Sequence, residues 1–468
     1  MNLFDPASAP KQLRFPSIPG CTIRGDFEGG GLSSDFGALL VSGVDRQIGL
    51  TARLSAAIID TRHPAYIIHA LHDLIKQRIY QIACGYEDGN DCNTLRHDPA
   101  FQLGVGHKPF GMDETEGVLA SGPTISRLEH AVNGRDIYRI SEAIVDQFIA
   151  GYATPPAALV LDIDHSEDAV YGQQPLAFYN HHYKSTCYLP LMIFEGVSGA
   201  LVAAVLRSGR RPTGAENAMI LKRVLKRIRA HFPDTQILVR GDGHFSTPEL
   251  MAMIDAMPHT DFIFGLASNA VINRLAEPLM QSACKLWGDV QTYDVVPDSV
   301  RLYDEFNYAA NSWSKSWRVI QKAEVMALGE NPRFVVTSLE APTPDCVYEQ
   351  LYCGRGQAEN LIKHLKSDLA SDRTSCTTFV ANFMRLLEHA SAYILHQQLR
   401  SQALQHTSLA NAQPSTVISK LFKIAVHVKK YKDRVILHLP SSCPFKHLLK
   451  TVTERLFVPV PARLRFSP

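Results

Sequence analysis

A chain of 468 residues, 46% of them hydrophobic, can bury one large core with appended parts or two to three smaller cores, and reads as a soluble globular protein. No stretch reaches the roughly 18 uninterrupted apolar residues of a membrane-crossing helix. The start, Met-Asn-Leu-Phe-Asp-Pro, lacks a secretory layout, so the membrane is excluded and the cytoplasm is the expected location, while a net charge of +1 argues against a polyanionic partner only if that charge is spread evenly.

Residues 1–150 form an N-terminal region of mixed character, opening with a glycine-rich, partly alternating stretch from Phe27 to Leu50. After Pro64, the spacing of Ile67, Ile68, Leu71, Leu74, Ile75, Ile79 and Ile82 predicts a helix. Ile125 to Val132 and Ile137 to Ile149 predict two more behind Ser121-Gly-Pro. Such helices either contact a partner or merely pack, and none of them declares which. The nine cysteines are scattered along the chain, with no Cys-x-x-Cys pair and no Cys/His group at zinc spacing, and read as reduced packing residues.

From Ala157 short apolar runs alternate with helical segments, the pattern of a mixed α/β sheet. Strands are predicted at 158–164, 187–194 and 200–207. A helix at 215–231 follows, with Ile220, Leu221, Val224, Leu225, Ile228 and Phe232 on one face and part of a basic run, Arg207 to Arg229, on the other. Next come a strand at 236–241, a helix at 247–257 and a strand at 261–266, and two long helices, about 346–368 and 378–400, close the series. Three strands, helix, strand, helix, strand, helix is the order of an RNase H-like fold, an α/β core with a mixed sheet. Between 268 and 340, alternating stretches at Ser316 to Ala327 and Arg333 to Leu339 mark a mainly β insertion before the closing helices. The expected parts are therefore 1–150, a first core part at 151–267, the insertion at 268–340, core closing helices at 341–405, and a C-terminal region at 406–468. That last region is basic: Pro414 to Pro468 holds eleven Lys/Arg against Asp433 and Glu454, and Val426 to Leu439 alternates about Lys432-Asp433 as a basic hairpin would. The plain alternative for either basic run is a solvated face.

Asp164 ends the first strand and Asp242 follows the fourth, in Arg240-Gly-Asp-Gly-His-Phe245; in this strand order those two strands are neighbours. Two carboxylates at adjacent strand ends repel each other unless a cation lies between them, and hard oxygen donors select Mg2+ or Mn2+. Two such ions, about 3.5–4 Å apart, suit phosphoryl transfer, because one activates the attacking oxygen and the other stabilises the leaving one. Taken singly, an Asp at a strand end is more often a loop or helix cap than a ligand. Asp162 shares a strand face with Asp164, since side chains repeat every second residue, and either can be the ligand. Asp168 falls in the loop beyond.

The third carboxylate lies in Tyr352-Cys-Gly-Arg355-Gly-Gln-Ala-Glu359-Asn-Leu-Ile-Lys-His-Leu-Lys366. At about 100° per residue, with Tyr352 at zero, Arg355, Glu359 and Lys366 fall near 300°, 340° and 320°, a row about 60° wide. Leu351, Ala358, Ile362, Leu365 and Leu369 form a flanking stripe suited to packing on the sheet. Such a row is ordinarily a helix's wet face; this one mixes a metal-binding carboxylate with phosphate-binding groups. Gly354 and Gly356 flank Arg355 and make Gln357 the alternative start of regular helix.

On these residues the chain resembles bacterial insertion-sequence transposases of the DDE type, in the branch with a Tyr-(2)-Arg-(3)-Glu-(6)-Lys signature and a β-rich insertion before the final Glu. Tyr352, Arg355, Glu359 and Lys366 satisfy every interval. Leu161-Asp-Ile-Asp-His-Ser-Glu resembles the block around the first Asp and Leu238-Val-Arg-Gly-Asp-Gly-His-Phe the block around the second. The resemblance spans roughly residues 95 to 440. It implies that Asp164, Asp242 and Glu359 ligate two Mg2+ or Mn2+ ions, with Asp164 preferred to Asp162 because it directly precedes His-Ser. It implies that Tyr352 and Arg355 contact phosphates near the cut end and that Lys366 grips the backbone further along.

The same resemblance implies a cut-and-paste reaction on double-stranded DNA. Water releases a 3′-hydroxyl at each terminal inverted repeat, and that hydroxyl attacks the opposite strand or the target DNA. The partners are then element ends and target, held by a homodimer assembled on DNA near the bacterial nucleoid. Residues 1–150 would bind the ends, and the basic helix and tail would contact the DNA backbone or the second subunit. Trp313 and Trp317 in the insertion either stack on a flipped base or pack, and His181 and His182 read as ordinary loop or strand residues. Two alternatives share the fold: a structure-specific endonuclease that cuts without joining, and a domesticated DNA-binding regulator without activity.

Overall fold

The computed structural model describes residues 13–109, 117–291 and 297–457. At its centre lies a nine-stranded sheet. The first five long strands are β1 (Ala158–His165), β2 (Leu191–Glu195), β3 (Leu201–Val205), β4 (Gln236–Gly241) and β5 (Thr260–Leu266), and they lie side by side in the order β3-β2-β1-β4-β5. β1, β4 and β5 run parallel, while β2 pairs antiparallel with β1 and β3 antiparallel with β2. This is the RNase H-like order expected from the alternation of apolar runs and helical segments. Its parallel centre is covered on both faces, as parallel strands require: Phe262 and Phe264 of β5 pack into one core and Ile263 into another.

The predicted strand at 187–194 is two strands. Ser185–Tyr188 belongs to a small separate sheet, and β2 starts only after Leu189-Pro190, because a proline has no N–H to continue a ladder. The first predicted helix is shorter than its apolar spacing suggested: Pro64–Tyr66 is a single tight turn, Ile68 is 88% exposed, and the regular helix runs from Leu71 to Ala83. Asp73 in its first turn favours a helix start there.

The insertion contains a helix that its sequence did not announce. Ala270–Val290 spans 21 residues, with the Asn269 side chain accepting from Val271 and Ile272 at its start. Pro278 inside it and the sparse apolar face, Ile272, Ala276, Met280 and Ala283, obscure the helical period. The β part is as expected, but it extends the central sheet rather than standing apart from it. β6 (Ser299–Tyr308), β7 (Trp317–Met326) and β8 (Arg333–Thr337) continue the order as β5-β8-β7-β6, every pair antiparallel.

The helices Gly37–Ile48, Leu71–Ala83, Gly122–Ala131 and Gly134–Ile149 pack around the long closing helix Phe379–Gln402 in one core, which joins Leu74, Ile79, Ile125 and Ile140 to Leu387 and Tyr393. The hairpin expected near Lys432 is present: Val426–Lys430 pairs with Val435–His438, and Val426 also pairs with Ser33. Residues before and after the central sheet thus share a core. Among the described residues no helix is long and apolar enough to cross a membrane.

Candidate active site

Two neighbouring strands set out the site in rows. In the parallel pairing of β1 with β4, Arg240 stands opposite Asp162; two residues further along, on the same face, come Asp164 and Asp242. The lower row is an ion pair. Arg240 Nε and Nη2 donate to the two carboxylate oxygens of Asp162 at 2.6 and 2.8 Å, with Asp162 1% exposed. Both oxygens of Asp162 are therefore engaged below the cleft, and the upper row alone is open to it.

Asp164 accepts from the His165 backbone N–H at 2.8 Å, and Asp242 is held by the backbone N–H and Nδ1 of His244 at 2.9 and 2.8 Å. Burial pushes the pKa of Asp164 up to about 7, the charge of Asp242 adds to the rise, and Arg355 opposes it. His165 beside it is kept neutral by burial, its pKa lowered to about 3, and its ring stacks on Phe245 at 4.6 Å.

The third acid arrives on a helical run that is continuous from Cys346 to Asp368 but changes pitch along its length. Wide turns at Cys346–Tyr352 give way to a tight turn at Cys353–Gly356, then α-helix at Gln357–Lys363 and wide turns again at His364–Asp368. Regular α-helix thus begins at Gln357, the alternative start that the glycines marked, yet helical backbone precedes it. Ala358, Ile362, Leu365 and Leu369 of the expected stripe are buried. Val347 and Tyr348 pack on Ile263, Ile320 and Val335, so strands of the insertion support the start of the run. Arg240 reaches it too, donating from Nη1 to the Leu351 carbonyl at 2.5 Å. Gly196 and Gly354 leave room for this guanidinium: a Cβ at either would stand 2.5 or 2.6 Å from one of its nitrogens.

Arg355 joins the helix to the strands. Its Nη1 lies 3.4 Å from Asp164 Oδ2 and its Nη2 3.2 Å from Glu359 Oε1, and the ring of Tyr352 is 5.9 Å away. Lys366 donates to the Glu167 carbonyl. With Glu359, His165, Glu167 and Tyr183 it lines an open cleft of about 530 Å³. Glu359 and Lys366 therefore line the cleft itself, while Arg355 ties Glu359 to Asp164, whose charge is coupled to that of Asp242.

Three hard oxygen donors, two of which repel each other, suit a divalent cation. Among the described residues the one trio of His, Cys, Asp or Glu with ligand atoms all within 4.8 Å of one another is Glu129, His130 and Cys376; the three acids stand wider apart, around the Arg355 guanidinium. That tighter trio is a poor cation site, because Glu129 already pairs with Arg385 at 2.9 Å and with Arg78 at 3.6 Å. Trp313 and Trp317 of the insertion pack: Trp317 lies edge-on to Phe262 and Trp313 edge-on to Tyr308. Sequence reasoning missed the roles of Arg240 and Tyr183. The alignment of Arg240 with Asp162, each two residues before a strand-end Asp, was the available signal for the first, whereas Tyr183 had none.

The sequence profile of the transposase DDE domain, group 1, matches residues 15–459. No curated protein matches the chain. Among solved structures, the cryo-electron-microscopy structure of a piggyBac transposase synaptic complex with hairpin DNA is similar over 93% of this chain and 84% of that one, at 12% identity and a TM-score of 0.39.

Proposed function

The chain belongs to the transposase DDE domain family, group 1, and from that premise we propose that Asp164, Asp242 and Glu359 are the acids that hold its metal ions. A DDE transposase acts on DNA with divalent metal ions; the proposal for this chain is two ions, Mg2+ or Mn2+, and cut-and-paste movement of an element between its terminal inverted repeats and a target. The observation that best supports this assignment is the bridge of Arg355 between Asp164 and Glu359, which brings the helix acid to the strand pair.

When bound, the ions polarise the attacking oxygen and stabilise the leaving one. The protein's own share is placement. Asp164, Asp242 and Glu359 would hold the ions; Arg355 and Tyr352 would meet a phosphate at the cut end with a cation and a hydroxyl; and Lys366, which lines the cleft with Glu359, would grip the backbone further along. Water then attacks the phosphodiester and frees a 3′-hydroxyl, which is the nucleophile of the joining step, so neither step needs a covalent bond to the enzyme. In this reading two copies act together on DNA in the bacterial cytoplasm, with residues 1–150 and the C-terminal region contributing further DNA or subunit contacts.

The test is incubation of the purified protein with its element ends, Mg2+ and a target plasmid. Wild type is expected to cut and join, while Asp164→Ala, Asp242→Ala and Glu359→Ala each lower both by more than about a hundredfold. Undiminished cutting in any one of them removes that residue from the site. Cutting without joining by wild type makes the protein an endonuclease, and binding without either makes it a regulator.

A further inference from the structure

Between β1 and β2 the chain leaves the central sheet and builds a three-stranded sheet of its own, from Asp168–Ala169, Phe178–Asn180 and Ser185–Tyr188. It starts just past Asp164 and ends just before β2, so it stands at the mouth of the cleft. Its hairpin tip carries four rings within five residues: Tyr179, His181, His182 and Tyr183. Tyr179 is 56% and Tyr183 37% exposed. The rings engage one another edge-on, Tyr179 with His181 at 5.1 Å and His182 with Tyr183 at 4.8 Å. His182 also lies 6.2 Å from His244, which holds Asp242, and Tyr183 lines the cleft with Glu359 and Lys366.

The tip is held in shape. The Asn180 side chain accepts from the backbone N–H of His182 at 2.9 Å and of Tyr183 at 3.3 Å, and Lys184 adopts a left-handed φ of 56°. The Arg210 guanidinium lies 4.2 Å over Phe178 at the base of the same hairpin and adds positive charge. Exposed rings on a hydrogen-bonded turn are what single-stranded nucleic acid stacks on, since every base has a face to stack and little ordering is needed on the protein side. The chemistry in the cleft calls for such a support: the Asp164 side chain is only 15% exposed, so a phosphodiester must leave the regular duplex to reach it. Trp313 and Trp317 are already packed against neighbouring rings.

We propose that the hairpin tip Tyr179–Tyr183 is a stacking platform that holds unpaired bases of the DNA end beside the scissile phosphate. The proposal rests on the reading of the cleft as the strand-cutting site. Its test uses the full-length protein without divalent metal, and fluorescence anisotropy with a labelled oligo-dT strand of about 20 nucleotides and a duplex of equal length as probes. Tyr179→Ala and Tyr183→Ala are expected to weaken single-strand binding by about five- to a hundredfold each, with duplex binding and thermal melting unchanged, and Tyr179→Phe and Tyr183→Phe to keep wild-type affinity. Equal single-strand binding by the alanine variants, phenylalanine variants as weak as the alanine ones, or no single-strand binding by wild type each overturns the platform. Normal cutting of element ends by Asp164→Ala would instead overturn the cleft assignment while leaving a positive stacking result in place.

Discussion

Burying a carboxylate beside a second one raises the pH at which it gives up its proton, and Asp164 meets both conditions. Its pKa is pushed from 3.8 to about 7, first by burial and then by the charge of Asp242. The folded, metal-free protein therefore holds this proton more tightly than the unfolded chain does. The stability it contributes is complete below the unfolded value of 3.8 and is lost as the pH rises toward about 7. A divalent ion must displace that proton, so affinity is linked to pH. Mn2+ binding followed by calorimetry is expected to weaken about tenfold for each unit below about pH 7 and to level off above it. An affinity that stays flat from about pH 6 to about pH 8 would count against Asp164 as a ligand.

At the scale of elements, one arginine ties three of them together. Arg240 belongs to β4, pairs with Asp162 on β1 and holds the Leu351 carbonyl at the start of the helical run that carries Glu359. Removing one member of a buried pair strands the other's charge, so Asp162→Ala is expected to cost about 3–5 kcal/mol in chemical unfolding. The double variant Asp162→Leu, Arg240→Met removes both charges and should recover most of that stability. It still loses the grip on Leu351, so its Mn2+ affinity or its cutting rate stays about 10–100-fold below wild type. Full recovery of both quantities would show that the pair serves folding alone.

Over the whole molecule the charge is less free than its sequence suggests. In the basic helix, Arg227 is taken by Glu142 and Asp146, and Arg229 donates to the carbonyls of Phe232, Pro233 and Thr235. In the tail, Lys423 pairs with Asp35 and lies on the Tyr86 ring, Arg455 donates to two backbone carbonyls, and Arg463 and Arg465 fall outside the described residues. The hairpin turn keeps Lys429, Lys430, Lys432 and Arg434 exposed together. If that turn contacts phosphates, replacing all four by alanine reduces the slope of log affinity against log salt by about 3–4, close to 0.9 for each lost contact. An unchanged slope would exclude the turn from the DNA footprint, and the same measurement on Lys222→Ala, Lys226→Ala reads the basic helix separately.

The order of strands and helices and the strand-end positions of Asp164 and Asp242 were legible in the chain because each depends on local periodicity, whereas the phase expected for Tyr352, Arg355, Glu359 and Lys366 assumed one regular helix and the run changes pitch between them. The helix at Ala270–Val290 was not, since Pro278 and a thin apolar face blur its period. Tertiary structure alone decided what depends on partners distant in sequence. Asp162 and Asp164 are equivalent by strand period, and only Arg240, brought alongside from another strand, occupies the first and leaves the second to Arg355. The insertion's strands could equally have formed a separate module, and only pairing with β5 made them an extension of the central sheet that supports the Glu359 run. The aromatic hairpin carries no motif, and its place beside the acids follows from where β1 ends and β2 begins.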